Sequence, residues 1–406
     1  MENEQLRGAV KETAQEVRSP DHFAKRAHQL RRRRKVRGLL ATGVVAAVIA
    51  VGVAVSLAVD GDSNSHERSA GRLPAPDVVA RPDQSPPRGL IAAGSVAVSG
   101  YYTAKVVKKP NGDGIVTYEW SLLNAATERY DKTAWAWLDV APGMKTAAVL
   151  ERDLPASRIG LLNLTTDKVQ RWIKTGKDVG GVQFSPDGKR LVATTYSLNP
   201  DGLFKDASYR LNDKTVPGPK PSRTGFYVID VASGRAVFTE LPPRKNDHGF
   251  ITGGRQDLRW GRDGKLLWEP WSNKAGKVFY TVGGKEVPVP EQEANLGSPG
   301  AVLSPDGKLV TGGFAGQSGQ IVSEVLDART GKRAALVPGQ ELLAWADNHW
   351  LIAWRCNPKQ CDPGKGEFRN QLVLASLDGK TVTPLSGFRN ADLHYSGRWT
   401  PILTDR

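Results

Sequence analysis

Cysteine and methionine are nearly absent, two of each in a chain of 406 residues. So few thiols exclude a disulfide-dense scaffold and a cysteine-rich zinc module. Histidine numbers six. Those beyond residue 94, His248, His349 and His394, stand far apart from one another. No G-x-S-x-G elbow is present; "GQSGQ" at Gly316–Gln320 fails at its last position. A P-loop, an H-E-x-x-H pair and a dinucleotide glycine fingerprint are also missing. The sequence therefore offers no catalytic residue, no metal ligand and no cofactor site.

Acidic residues are outnumbered, 42 against 56 Lys and Arg, for a net charge of +14. Residues 1–38 hold 11 basic and 5 acidic side chains, a net +6, and the remaining +8 is spread over the rest. No dense basic face interleaved with aromatics stands out, so nucleic-acid binding is not indicated.

Long apolar runs are missing but for one. Leu39–Val59, "LLATGVVAAVIAVGVAVSLAV", contains 21 residues without a charge. At a rise of about 1.5 Å per residue it spans a hydrocarbon core of roughly 30 Å. "RRRRKVRG" (Arg31–Gly38) precedes it; Asp60, Asp62 and Glu67 follow. This asymmetry predicts a cytoplasmic N-terminus and an extracytoplasmic remainder. "SLA" at Ser56–Ala58 would suit a cleavage site, but the run is longer than a signal-peptide core and follows 38 residues. The reading is a retained single-pass anchor in the cell membrane. Residues 1–38 show two short amphipathic patterns, Leu6/Val10/Val17 and Phe23/Ala27/Leu30. They are expected to form a basic helical segment that lies against lipid or docks a cytoplasmic protein. Residues 60–93, with Pro74, Pro76, Pro82, Pro86 and Pro87, read as a disordered, semi-extended stalk.

Glycine (43) and proline (26) are frequent, which favours many turns and short strands. "FSPDGKRLVAT" at Phe184–Thr194 returns as "LSPDGKLVTGG" at Leu303–Gly313 and, more loosely, as "WGRDGKLLWEP" at Trp260–Pro270. Pro186 presets φ for the turn, Asp187 tolerates tight geometry and Gly188 accepts positive φ. Equivalent positions are Pro142, Pro186, Arg262, Pro305 and Asp347, at spacings of 44, 76, 43 and 42. The long gap exceeds the common length by about 32 residues and contains the insertion "SLNPDGLFKDASYRLNDKTVPGPKPS" (Ser197–Ser222); without the excess the period holds. A second strand–turn–strand pattern recurs downstream, as in "YVIDVASGRAVF" and "EVLDARTGKRAALV".

These motifs resemble the TolB-like and WD40-like repeats of bacterial β-propellers, over about residues 94–404. The resemblance implies an all-β propeller ectodomain at 94–406 and is nearly silent on function. "ADLHYSGRWTPIL" at Ala391–Leu403 reads as a strand that closes the ring on the N-terminal unit, giving six blades. Seven follow if "GSVAVSGYYTAKVV" and that strand belong to different blades.

Cys356 and Cys361, in "CNPKQC", are expected to form a disulfide across a hairpin loop between "WLIAWR" and "NQLVLASL". Trp135, Trp137, Trp260, Trp345 and Trp350 recur near the marker turns and are expected to pack between blades. The Ser197–Ser222 insertion and the Cys356–Cys361 loop break the period. Phe204, Tyr209 and Arg210 of the insertion are candidate partner-binding residues. The expected function is a non-enzymatic binding or scaffold module for an extracytoplasmic protein, peptide or envelope component. Two other classes remain: a transmembrane regulator whose N-terminal helices hold a sigma factor, and a propeller-based lyase or glycosidase.

Overall fold

The computed structural model describes residues 76–406 apart from 212–213, 245–253, 272–275, 296–299, 301, 317–319, 358–360, 362–368 and 390–397. The segment at 1–38, the run at 39–59, residues 60–75 of the spacer, His248 and His394 lie outside the described residues. Among the described residues no helix is long and apolar enough to cross a membrane. These residues are all-β apart from a single 3-10 turn at Glu291–Glu293.

Strands follow one another in antiparallel units, whose strands are labelled A to D across each sheet. β1 (Val78–Val79) and β2 (Ala92–Ala93) lead into the first unit: β3 (Val96–Lys108), β4 (Gly114–Asn124) and β5 (Arg129–Lys132). The second contains β6 (Trp137–Val140), β7 (Thr146–Leu150), β8 (Ala156–Asn163) and the first part of β9 (Lys168–Phe184). The far end of β9 opens the third unit, with β10 (Arg190–Tyr196), an inserted hairpin of β11 (Gly202–Leu211) and β12 (Lys214–Gly218), β13 (Arg223–Asp230) and β14 (Ala236–Glu240). The fourth contains β15 (Arg259–Trp260), β16 (Leu266–Pro270), β17 (Lys277–Thr281) and β18 (Glu286–Val287). In the fifth, β19 (Leu309–Phe314), β20 (Val322–Asp327) and β21 (Arg333–Pro338) are joined by the bridge Leu303–Val310. The sixth has β22 (Glu341–Trp345), β23 (Trp350–Arg355), β24 (Gln371–Ser376) and β25 (Val382–Phe388). Finally β26 (Thr400–Asp405) pairs antiparallel with β3, Thr400 opposite Tyr102 and Asp405 opposite Val96.

β26 is therefore strand A of the first unit, and the chain closes on itself. Because β26 and β3 share one sheet, the described residues form six units, not seven. Apolar clusters seal the seams between neighbours. Ile91 and Val98 meet Trp350 and Leu374, Val192 and Phe226 meet Leu258 and Val278, and Val325 meets Leu342 and Leu351. Repeated antiparallel units, of four strands except for the fifth, packed through apolar faces into a closed cycle are the architecture of a β-propeller.

The repeated turn has a second determinant, its serine. Ser304 donates from Oγ to Asp306 Oδ1 at 2.7 Å, and accepts at Oγ from the Leu309 N–H at 3.0 Å. Asp306 Oδ1 also accepts from the Lys308 N–H at 3.1 Å. Ser185 and Asp187 repeat the arrangement with Arg190 and Lys189. Both serines are fully buried, so the hydroxyl satisfies backbone groups that water cannot reach. Gly188 and Gly307 sit at φ 69° and 74°, where a Cβ is strained.

The A–B turns also touch one another around the ring. Arg190 Nη2 donates to Gly264 O at 2.6 Å, and Arg262 Nη2 to Pro305 O at 2.6 Å. The Asp306 N–H donates to Asn348 Oδ1 at 3.0 Å, the Ser95 N–H to Ala346 O at 3.0 Å, and the Gly143 N–H to Asp405 O at 2.8 Å. Alternating strand direction places A–B and C–D turns at one end of the ring and B–C and D–A connections at the other.

Residues 76–93 depart from the stalk reading. Proline content suggested an unfolded spacer, yet "GLIAA" supplies apolar surface, and Ile91, Ala92 and Ala93 are fully buried. The Arg81 N–H bonds to Leu385 O at 2.8 Å, the Gly387 N–H to Gln84 O at 2.7 Å, and the Leu90 N–H to Glu128 O at 2.9 Å. This segment fills the seam between the sixth and first units. Asp77 O accepts from the Gly94 N–H, and Arg406 Nη2 lies 3.1 Å from Asp77 Oδ2. Pro76 and the C-terminus therefore both lie at the A–B turn end.

Candidate functional site

The two segments that break the period are both B–C connections, so they lie at the end opposite Pro76. Cys356 and Cys361 are disulfide-bonded with Cα atoms 5.6 Å apart, between β23 and β24. The insertion is a hairpin rather than an irregular loop. Gly202 and Leu203 of β11 pair with Ile115 and Gly114 of β4, and the Val116 N–H bonds to Asp201 O at 2.9 Å. The third unit thus reaches past the second and adds its hairpin to strands of the first. Phe204 lies opposite Gly218, Tyr209 opposite Val216 and Arg210 opposite Thr215. Phe204 and Tyr209 are half-buried and Arg210 is exposed. Lys220 Nζ sits 4.9 Å from the Phe204 ring centroid. Among the described residues, Cys356 and Cys361 belong to the sixth unit, whereas these three residues stand on the hairpin that joins the first.

A groove of about 410 Å³ lies beside this joint. Its floor is the β3–β4 face with Lys105, Val107, Ile115 and Glu119. Its walls are Trp135, Arg152–Leu154, Asn199 and Asp201. Of the five marker tryptophans, Trp137, Trp260, Trp345 and Trp350 are buried between units. Trp135 is the half-buried exception and faces the groove.

Buried ion pairs hold the groove's far wall. Arg255, 7% exposed, donates from Nε to Asp201 Oδ1 at 2.9 Å and from Nη1 to Asp257 Oδ2 at 3.0 Å and Gly180 O at 2.7 Å. Its guanidinium lies 3.6 Å from the Trp137 ring centroid. Burial opposes its charge, but Asp201 and Asp257 outweigh burial and raise its pKa well above the usual range. Tyr196 OH donates to Asp257 Oδ1 at 2.8 Å; burial first, and then the Asp257 charge, push this phenol well above its ordinary pKa. Further round, Arg223 pairs with Glu269 at 2.5 Å, and Tyr280 OH also donates to Glu269. Burial and Glu269 push Tyr280 up to about 12. Lys277 Nζ lies 2.8 Å from Glu293; burial lowers the lysine and Glu293 offsets part of that.

The charged belt has a positioning role. Arg223 also donates to Leu241 O at 3.0 Å and Pro242 O at 2.9 Å, so it fixes a D–A connection as Arg255 fixes the base of the insertion. His349 is exposed in the A–B turn of the sixth unit, its N–H bonded to Asp347 Oδ1 at 2.7 Å. Among the described residues no three His, Cys, Asp or Glu side chains gather closely enough to hold a metal ion. Sequence reasoning missed the belt because its partners come from different units. The available signal was a charge set in a largely apolar strand, Arg223 of "RTGFYVID" and Glu269 of "LLWEP".

No family model matches the chain, and no curated protein sequence does. Among solved structures it is similar to TolB from Acinetobacter baumannii, with 16% identity over 74% of this chain and 66% of that one and a TM-score of 0.36. It is also similar to Kuenenia stuttgartiensis hydrazine synthase, with 14% identity over 67% of this chain and 76% of that one and a TM-score of 0.33. The chain thus spans just under two thirds of the TolB chain. Neither likeness carries an argument at these scores, and the propeller assignment rests on strand order and on the pairing of β26 with β3.

Proposed function

We propose that this chain is a TolB-like, membrane-anchored extracytoplasmic propeller that binds an envelope protein or peptide on its B–C face. One observation carries the reading. The groove at β3–β4 and Asp201 opens at the end of the ring opposite Pro76, the first described residue. An anchor attached at the turn end turns the groove away from the bilayer, toward soluble partners. The groove combines exposed apolar and aromatic surface with charge at its rim, the usual composition of a protein-recognition patch. Phe204, Tyr209 and Arg210 stand on the adjoining hairpin and extend the same surface.

The test uses a photo-crosslinking side chain placed in the full-length protein in its native cell. Positions Arg152 in the groove and Tyr209 on the hairpin are compared with Lys332 at the turn end. Adducts with an envelope protein from the first two, absent from the third, are the expected result. Adducts from Lys332 alone, or from none of the three, overturn the reading.

A further inference from the structure

β3 is longer than the blade requires, and beyond Tyr102 no described strand covers one of its edges. β26 covers β3 only as far as Tyr102, and β4 continues alongside as far as Lys108. The side on which the spare edge lies follows from the ladder. The Lys109 N–H bonds to Asp113 O at 2.8 Å, so 109 and 113 are a hydrogen-bonded pair. In an antiparallel ladder such pairs alternate. Residues 103, 105 and 107 therefore aim their backbone at β4, and Thr117 Oγ1 donating to Lys105 O at 3.3 Å fits that phase. Ala104, Val106 and Lys108 aim their N–H and C=O groups to the other side, beyond the last residue that β26 pairs. No described strand meets them there.

We propose that the Ala104–Lys108 edge takes an extended acidic peptide segment as an added strand. Its backbone would bond to Ala104, Val106 and Lys108, and every second side chain would lie over the groove. The inference rests on the binding function proposed above and names the partner's conformation and charge. Strand addition draws affinity from main-chain bonds and selectivity from alternate side chains. Lys105 and Val107, the groove residues nearest this edge, would read those side chains. Val107 is 42% exposed and offers an apolar contact.

Charge selects the occupant. Lys105, Lys108 and Lys109 are exposed along the edge. Of the nearby acids, Glu119 is paired with Lys105, while Asp113 accepts from Asn111 and from the Lys205 N–H at 3.0 Å. A second copy of this chain would set the same lysines against each other, and like charges directly opposite destabilise a strand pair. Lysine on an edge strand discourages indiscriminate pairing; a strand carrying carboxylates is the one it admits.

The probe is a displayed library of random linear peptides, selected on the full chain in detergent. The expected pool is enriched in acidic residues with apolar residues at alternate positions. Val106→Pro removes an outward N–H without touching the ladder to β4, a place where strands tolerate proline. It should weaken a selected peptide about tenfold at unchanged melting temperature. Should the proline disturb folding, methylating alternate backbone nitrogens of the peptide asks the same question with the wild-type chain, and binding should again fall. Lys105→Glu with Lys108→Glu should abolish enrichment of acidic peptides. No enrichment, or selected peptides that tolerate both Val106→Pro and N-methylation, overturns edge pairing. If adducts from Arg152 persist in that case, the groove still binds a partner by another mode; if they are lost as well, both readings fail.

Discussion

At the scale of single residues, the repeated turn is an electrostatic device as well as a steric one. Hydrogen bonds from Ser304 and from the Lys308 N–H lower the Asp306 carboxyl to about 2. Asp187 and Asp378 are lowered for the same reason, Ser185 and Ser376 being the first donors. A folded pKa below the unfolded one contributes stability above the unfolded value, 3.8 for Asp306. That contribution is lost as pH falls from about 4 toward about 2. Melting temperature should therefore drop through this window, and Asp306→Asn should lower stability at neutral pH while flattening the acid slope. A variant curve parallel to wild type down to about pH 2 would refute the linkage. Arg255 gives a larger effect because it is buried. Arg255→Met leaves Asp201 and Asp257 without their cation and should cost about 3–5 kcal/mol in denaturant titration. A loss under about 1 kcal/mol would show that water reaches the site and screens it. Asp-Gly was legible in the sequence as a turn. The serine's hydroxyl was not, since its role depends on a backbone N–H five residues on.

At the scale of elements, the insertion shows what periodicity reveals and what it hides. The gap of 76 residues located Ser197–Ser222 correctly as extra chain. It could not show that Leu203 would be 2% exposed against the first unit's strands, because that pairing crosses two units. The same limit explains residues 76–93. Five prolines between 74 and 87 dominated the composition, while the contacts that order this segment come from β25 and β5. The base of the hairpin is thus part of the scaffold, docked on β4 through Gly202 and Leu203. Leu203→Ala should cost about 2–5 kcal/mol, as expected for emptying a well-packed site. Arg210→Ala, exposed near the tip, should stay within about 0.5 kcal/mol. Equal losses would mean that the hairpin does not dock as described.

At the scale of the whole molecule, closure is the feature on which cooperativity depends. Five of the six units took their order directly from the repeated turn. The remaining one, the first unit, was legible only as an incomplete pattern at each end of the chain, a missing first strand and a spare last one. β26 supplies that strand, and Ser99 Oγ lies 2.7 Å from Thr404 Oγ1 inside the joint. Ser95 O also accepts from the Arg406 N–H at 2.9 Å, so the last residue still takes part. Deleting Thr400–Arg406 would bare the β3 edge from Val96 to Tyr102 and open the seam against Trp350 and Leu374. An open ring has two unprotected edges and no reason to melt as one unit. The truncated chain should aggregate or unfold over a broad range. A synthetic peptide of residues 398–406 added in trans should restore a sharper, peptide-concentration-dependent transition, because a ligand of the folded state raises its stability by mass action. Unchanged melting of the truncated chain, or a peptide that leaves a disrupted chain unimproved, would show that β26 decorates the first unit and that the ring is held by its other seams.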